Sequence, residues 1–102
     1  MNFEKFTVKA QESINEALEI ATGKGQQSVE CAHLLKGIIS GAESIASYLF
    51  DKQGVNINSL NHSLDALIES FPRVSGAEPY LSSGSTQALK HAEDFAAGMQ
   101  DR

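Results

Sequence analysis

An all-α fold is predicted by three observations. Apolar residues recur at helical spacing in five separate stretches, each stretch is bounded by residues that start or stop helices, and no stretch alternates apolar with polar over the length of a strand. The helices also repeat. Residues 81–96 echo residues 6–21, with Leu81-Ser82 answering to Phe6-Thr7, Leu89 to Ile14, Ala92 to Ala17, Phe95 to Ile20 and Ala96 to Ala21. Self-similarity of this kind marks a helical-repeat architecture, and a second copy that stops at Arg102 implies a piece of something longer.

The first helix starts at Thr7, whose hydroxyl suits an N-cap, and carries Ile14, Ala17, Leu18 and Ala21 on one stripe. Gly23 and Gly25 end it. A second helix covers Cys31 to about Ser40. Its Leu34, Leu35, Ile38 and Ile39 form two adjacent apolar rows, so it is expected to be buried on more than one side. Gly37 within it costs about 1 kcal/mol relative to alanine, which predicts close approach of another helix there.

A third helix runs from about Ser44 to Gln53 with Ile45, Tyr48 and Leu49 inward, and Gly54 closes it. Asn56 caps a fourth, in which Ile57, Leu60, Leu64, Leu67, Ile68 and Phe71 share a stripe until Phe71-Pro72, where proline disfavours helix at the residue before it. Residues 72–82 form an irregular connection with two prolines. Ser82 then caps the fifth helix, on which Leu89, Ala92, Phe95, Ala96 and Met99 recur at helical spacing.

At 102 residues the chain is one domain, large enough to fold without metal or disulfide. Cys31 is the sole cysteine, which excludes an internal disulfide and fits a reducing compartment. The net charge of −5 and the scatter of only eight Lys and Arg residues exclude a nucleic-acid interface. No run of 18 apolar residues and no basic, apolar leader is present, so neither a membrane nor secretion is expected and the location is taken as cytoplasmic.

Chemistry is scarce. Cys31 and His33, two residues apart on a helix, face different directions and do not share a proton, so the histidine reads as a partly buried side chain bonded to a neighbouring loop. His33, His62 and His91 fall on three helices without ligand spacing, and no metal site is expected. Glu12, Glu16 and Glu19 form a solvated helix face. The phosphate-loop pattern is absent, Gly23-Lys24-Gly25 being only a turn. No catalytic residue and no cofactor are assigned to this segment.

Met1-Asn2-Phe3-Glu4-Lys5-Phe6-Thr7-Val8-Lys9-Ala10-Gln11-Glu12, then Gly25-Gln26-Gln27-Ser28-Val29-Glu30 and His33-Leu34-Leu35, together resemble the Clp N-terminal repeat domain. Gly54-Val55-Asn56-Ile57-Asn58, the Phe71-Pro72-Arg73-Val74-Ser75-Gly76 connection and the Tyr80-Leu81-Ser82 restart are most similar to the ClpB-type disaggregase branch of that family. The resemblance covers essentially the whole chain. It implies a bundle of tandem helical repeats, truncated after the first helix of repeat two, with repeat one at 1–71, a connection at 72–81 and that helix at 82–102.

It further implies a substrate-capturing domain of an AAA+ chaperone that binds exposed apolar segments of unfolded or aggregated polypeptides. The parent would be a homohexamer that uses ATP and Mg. The capturing groove would lie between the start of the first helix and the first helix of repeat two, with a further wall from later in that repeat. Carried over by position, Thr7, His91 and Phe95 border it. Thr7 serves equally as an N-cap, and Phe95, the counterpart of Ile20, serves equally as core. His91 departs from the leucine frequent there, and Cys31-Ala32 from the family's common Pro-Glu. A second function stays open, an adaptor-docking domain of a Clp protease regulatory ATPase.

Overall fold

A computed structural model of the chain describes residues 6–40, 45–74, 76 and 78–100, the last two without their side chains. The expectations for Met1–Lys5, Ser44, Ser75 and the Met99 side chain lie outside these described residues. The elements are α1 (Val8–Gly23), β1 (Ser28–Val29), α2 (Cys31–Ile39), α3 (Ile45–Lys52), α4 (Ile57–Glu69), β2 (Tyr80–Leu81) and α5 (Ser83–Gln100). The fold is all-α, as predicted. The exception is one pair of two-residue strands, parallel, with Ser28 opposite Tyr80 and Val29 opposite Leu81.

The caps are formed by the residues the sequence pointed to. Thr7 Oγ1 accepts from the Ala10 amide at 3.1 Å, Asn56 Oδ1 from Ser59 at 3.0 Å and Ser82 Oγ from Ser85 at 3.0 Å. Each satisfies an amide of the first turn that has no partner within the helix. Gly25 closes the turn after α1 at φ +68°, a conformation only glycine adopts without strain.

Helix α2 is the centre of the molecule and is packed on two sides, as its double apolar row required. Leu34 joins Ile14, Ala17, Ala21 and Val29 in one core cluster. Ala32 and Ile39 join Leu64 and Ile68 in a second, with Leu35, Phe50 and Phe71 packed against it. Gly37 lets α1 and α2 touch backbone to backbone, since a Cβ there would stand 2.4 Å from the Ser13 carbonyl oxygen.

Two expectations fail. On α3, Ile45, Tyr48 and Leu49 are exposed, and Ala46 and Phe50 make the core contact instead. The Ser47 hydroxyl, donating to the Ile39 carbonyl at 2.9 Å, fixes the helix in that rotation. On α4, Leu67 is half exposed while its neighbour Ile68 is 1% exposed, so the stripe is narrower than its apolar residues suggest.

Candidate functional site

The two copies of the repeated helix are alike in sequence and different in burial. Thr7 and Ser82 cap α1 and α5 in the same way, each on the amide three residues on. Ile14 and its counterpart Leu89 both pack on the first core cluster. Beyond that point the copies diverge. Ala17 and Ala21 are fully buried under α2, whereas Ala92 and Ala96 at the same positions of α5 are exposed. Phe95, whose counterpart Ile20 is half-buried, is 71% exposed. Among the described residues Phe95 is therefore not part of either core cluster.

Between the copies runs an open groove of about 1060 Å³. Phe6, Ala10 and Ile14 of the α1 side form one wall, and Ala88, Leu89 and Ala92 of α5 the other. Leu34, Leu35 and Ile38 of α2 make the floor, and Ile45 with Ala46 of α3 closes one end. Lys9, Glu12 and Glu16 are the charged residues at its edge. Such a surface has no strong directional chemistry; it offers apolar area in a concave shape.

Thr7, His91 and Phe95 do not line this groove, although all three are exposed. Thr7 follows Phe6 at the groove's mouth. His91 and Phe95 stand one helical turn on from Ala88 and Ala92, so Phe95 extends the same α5 stripe past the groove's end. The α2 and α3 contributions were missed by sequence reasoning. Ile38 carried a signal, as the outermost member of a double row too wide for one core; Ile45 carried none.

Cys31 is exposed and His33 completely buried, so the two do not meet. His33 lies deeper than expected and holds three elements together. The Glu30 amide donates to its Nδ1 at 2.9 Å, which leaves Nε2 as the protonated nitrogen, donating to Gln26 Oε1 at 2.7 Å. Gln26 Nε2 then donates to the Ile68 carbonyl at the end of α4, at 2.6 Å. Burial pushes the imidazole below its ordinary value, opposed by the Glu30 carboxylate and assisted by the Lys24 ammonium. Outside this core, Lys24 hydrogen-bonds Glu69, and Arg73 pairs with Glu69 at 2.9 Å. Among the described residues no group of three or more His, Cys, Asp or Glu side chains is placed to hold a metal ion. No described helix is long and apolar enough to cross a membrane.

The described residues thus define an all-α bundle with a repeated helix and a concave apolar face. The chain belongs to the Clp repeat (R) N-terminal domain family, whose model matches residues 5–102. It is 44% identical over 102 residues to the chaperone protein ClpB of Porphyromonas gingivalis and 41% identical over 101 residues to that of Bacteroides thetaiotaomicron. The ClpB chaperone of Clostridium perfringens is 33% identical over 107 residues. These matches cover 100%, 99% and 99% of this chain and 12% of each relative. The chain thus spans about an eighth of the length of the curated relatives it matches.

Proposed function

We propose that this chain captures exposed apolar segments of unfolded or aggregated polypeptides for a larger, ATP-driven chaperone of the ClpB type. The open groove between α1 and α5, floored by α2, is the observation that carries the reading. Unfolded chains share no fixed shape, so a site that receives them must rely on accessible apolar surface. Ile38, Ala88 and Ala92 supply that surface and Phe95 prolongs it. Thr7 and His91 border the entrance.

On this reading residues 1–71 are the first repeat, 72–81 the connection and 82–102 the opening helix of the second, which the shared capping of α1 and α5 supports. The chain does no chemistry itself. ATP and Mg would act in AAA+ modules of the same parent, a cytoplasmic homohexamer.

The test is titration with reduced, carboxymethylated α-lactalbumin and two unrelated permanently unfolded proteins. All three are expected to bind weakly and to compete with one another, and Ala92→Glu, which sets a charge on the groove wall, to weaken each roughly tenfold, since a desolvated charge costs more than a kcal/mol. Undiminished binding by Ala92→Glu would refute the groove. Saturable binding to one folded partner alone would favour an adaptor-docking domain.

A further inference from the structure

Residues 24–30 are a hub between two halves of the molecule. On one side they are tied to the end of α4. Gln26 Nε2 donates to the Ile68 carbonyl, the Val74 amide donates to the Gly25 carbonyl at 2.8 Å, and Arg73 donates to the carbonyl of Lys24. On the other side they seat α5. The Tyr80 amide donates to the Gln27 carbonyl at 2.8 Å, the Ser82 amide to the Val29 carbonyl at 3.0 Å, and the buried Ser85 hydroxyl to that same carbonyl at 2.7 Å. His33 holds this hub from within, through Glu30 and Gln26.

We propose that His33 is an acid-sensitive latch whose protonation loosens residues 26–30 and, through them, the seat of α5, so that the α5 wall of the groove moves with pH. This rests on the groove reading given above. The geometry supplies the reason. Nδ1 is an acceptor for the Glu30 amide, and a proton placed on it sets donor against donor at a ring that is itself fully buried. Imidazolium can keep its bond to Gln26 Oε1 but not the one to Glu30. Residues 28 and 29, which immediately precede Glu30, are the whole of the strand that β2 pairs with.

The charged groups around the ring come from two elements and the loop. The Glu30 carboxylate favours the imidazolium, while the Lys24 ammonium, itself bonded to Glu69 beside Arg73, opposes it. The ring of Phe71, with its centroid 5.4 Å away, adds an apolar side. From the β2 and α5 side the Tyr80 and Ser82 amides and the Ser85 hydroxyl meet the hub, all of them uncharged. Burial is the largest influence on the ring, so the latch is closed at neutral pH and opens below the ordinary histidine range.

The experiment follows the full chain by NMR from pH 7.5 to 5.0. It records the His33 ring-nitrogen shifts and the exchange protection of the Glu30, Tyr80 and Ser82 amides, corrected for intrinsic rates. Protection at all three should fall together, roughly tenfold or more, with the midpoint of the His33 titration, because a buried donor left facing a donor costs about what an unsatisfied group does. His33→Gln should abolish the pH dependence, since glutamine at this first-turn position accepts the Glu30 amide without titrating. Constant protection through the His33 titration would overturn the inference, as would the same loss in His33→Gln. Affinity for carboxymethylated α-lactalbumin should change across the same midpoint; equal affinity with the three amides deprotected would overturn the link to the groove. Failure to bind that probe at any pH would instead refute the groove, while amide exchange still decides the latch.

Discussion

Replacing Gly37 with alanine is the sharpest probe of how α1 and α2 are joined. The added Cβ would stand 2.4 Å from the Ser13 carbonyl oxygen and 3.2 Å from the Ala17 nitrogen, whereas ordinary contact begins at 3.4 Å. Both obstacles are backbone, so no side chain can rotate away, and α1 must retreat by about 1 Å. A gap of that size forfeits a quarter to a half of each dispersion contact between Leu34 and the Ile14, Ala17 and Ala21 stripe. Overpacking of this kind costs up to about 3 kcal/mol, and alanine's better helix propensity returns about 1 kcal/mol. The net loss is about 2 kcal/mol, from a total of about 5–15 kcal/mol for a domain of this size. Urea unfolding followed by far-UV circular dichroism should show a midpoint lower by about 1 M with the slope unchanged. Gly98→Ala, where nothing lies within 4 Å of the new Cβ, should hold or raise the midpoint. A Gly37→Ala midpoint equal to or above that of the parent would refute the backbone contact.

Three further outcomes are expected. Ile68→Ala, at a residue 1% exposed, should cost about 2–5 kcal/mol in the same urea assay, and Leu67→Ala next to it, 49% exposed, under about 1 kcal/mol. Phe95→Ala should leave the urea midpoint within error, given its 71% exposure, and still weaken binding of carboxymethylated α-lactalbumin several-fold. Stability should fall as pH drops from 7.5. The His33 imidazole is held below its ordinary value near 6.5, so above that value it is neutral in both states and its contribution is complete. Below 6.5 the unfolded chain takes up a proton that the native ring resists, and stability is lost as pH falls through the folded value; unfolding midpoints at several pH values should show this slope, and His33→Gln should remove it. Glu69 acts in a separate window. The Lys24 hydrogen bond holds its carboxyl below 4.5, so what it contributes is complete above that value and lost only in stronger acid.

Much of the fold could be read from residues with a single physical use. Thr7, Asn56 and Ser82 precede apolar stripes and cap them, and the glycine inside α2 marks the closest helix contact. The two-sided burial of α2 followed from rows too wide for one core. The face of α3 was illegible because eight residues make about two turns, in which Ala46 and Phe50 fit the periodicity as well as Ile45, Tyr48 and Leu49 do. The β1–β2 pair is two residues long, too short for alternation to show. The bond of His33 to a neighbouring loop was legible, but its full burial and its partner Gln26 were not, because polar residues enter a core only through partners that folding supplies. The groove was half legible. Its place between α1 and α5 is where the family resemblance puts a groove, whereas its floor and its end depend on how α2 and α3 are rotated.

The parallel pair of β1 with β2 also sets the order in which the molecule assembles. Ser28 and Tyr80 are far apart in the chain, while α1 and α2 are separated only by the turn and β1 at residues 24–30. Joining the distant pair costs about 2 kcal/mol more loop entropy than folding α1 back on α2. The α1–α2 hairpin therefore forms early and α5 docks last, onto a strand that waits with its carbonyls unpaired. What docks last with few anchors is also the first part to detach. Spontaneous opening of the protein under native conditions accordingly begins at α5, with residues 6–40 and α4 still folded behind it.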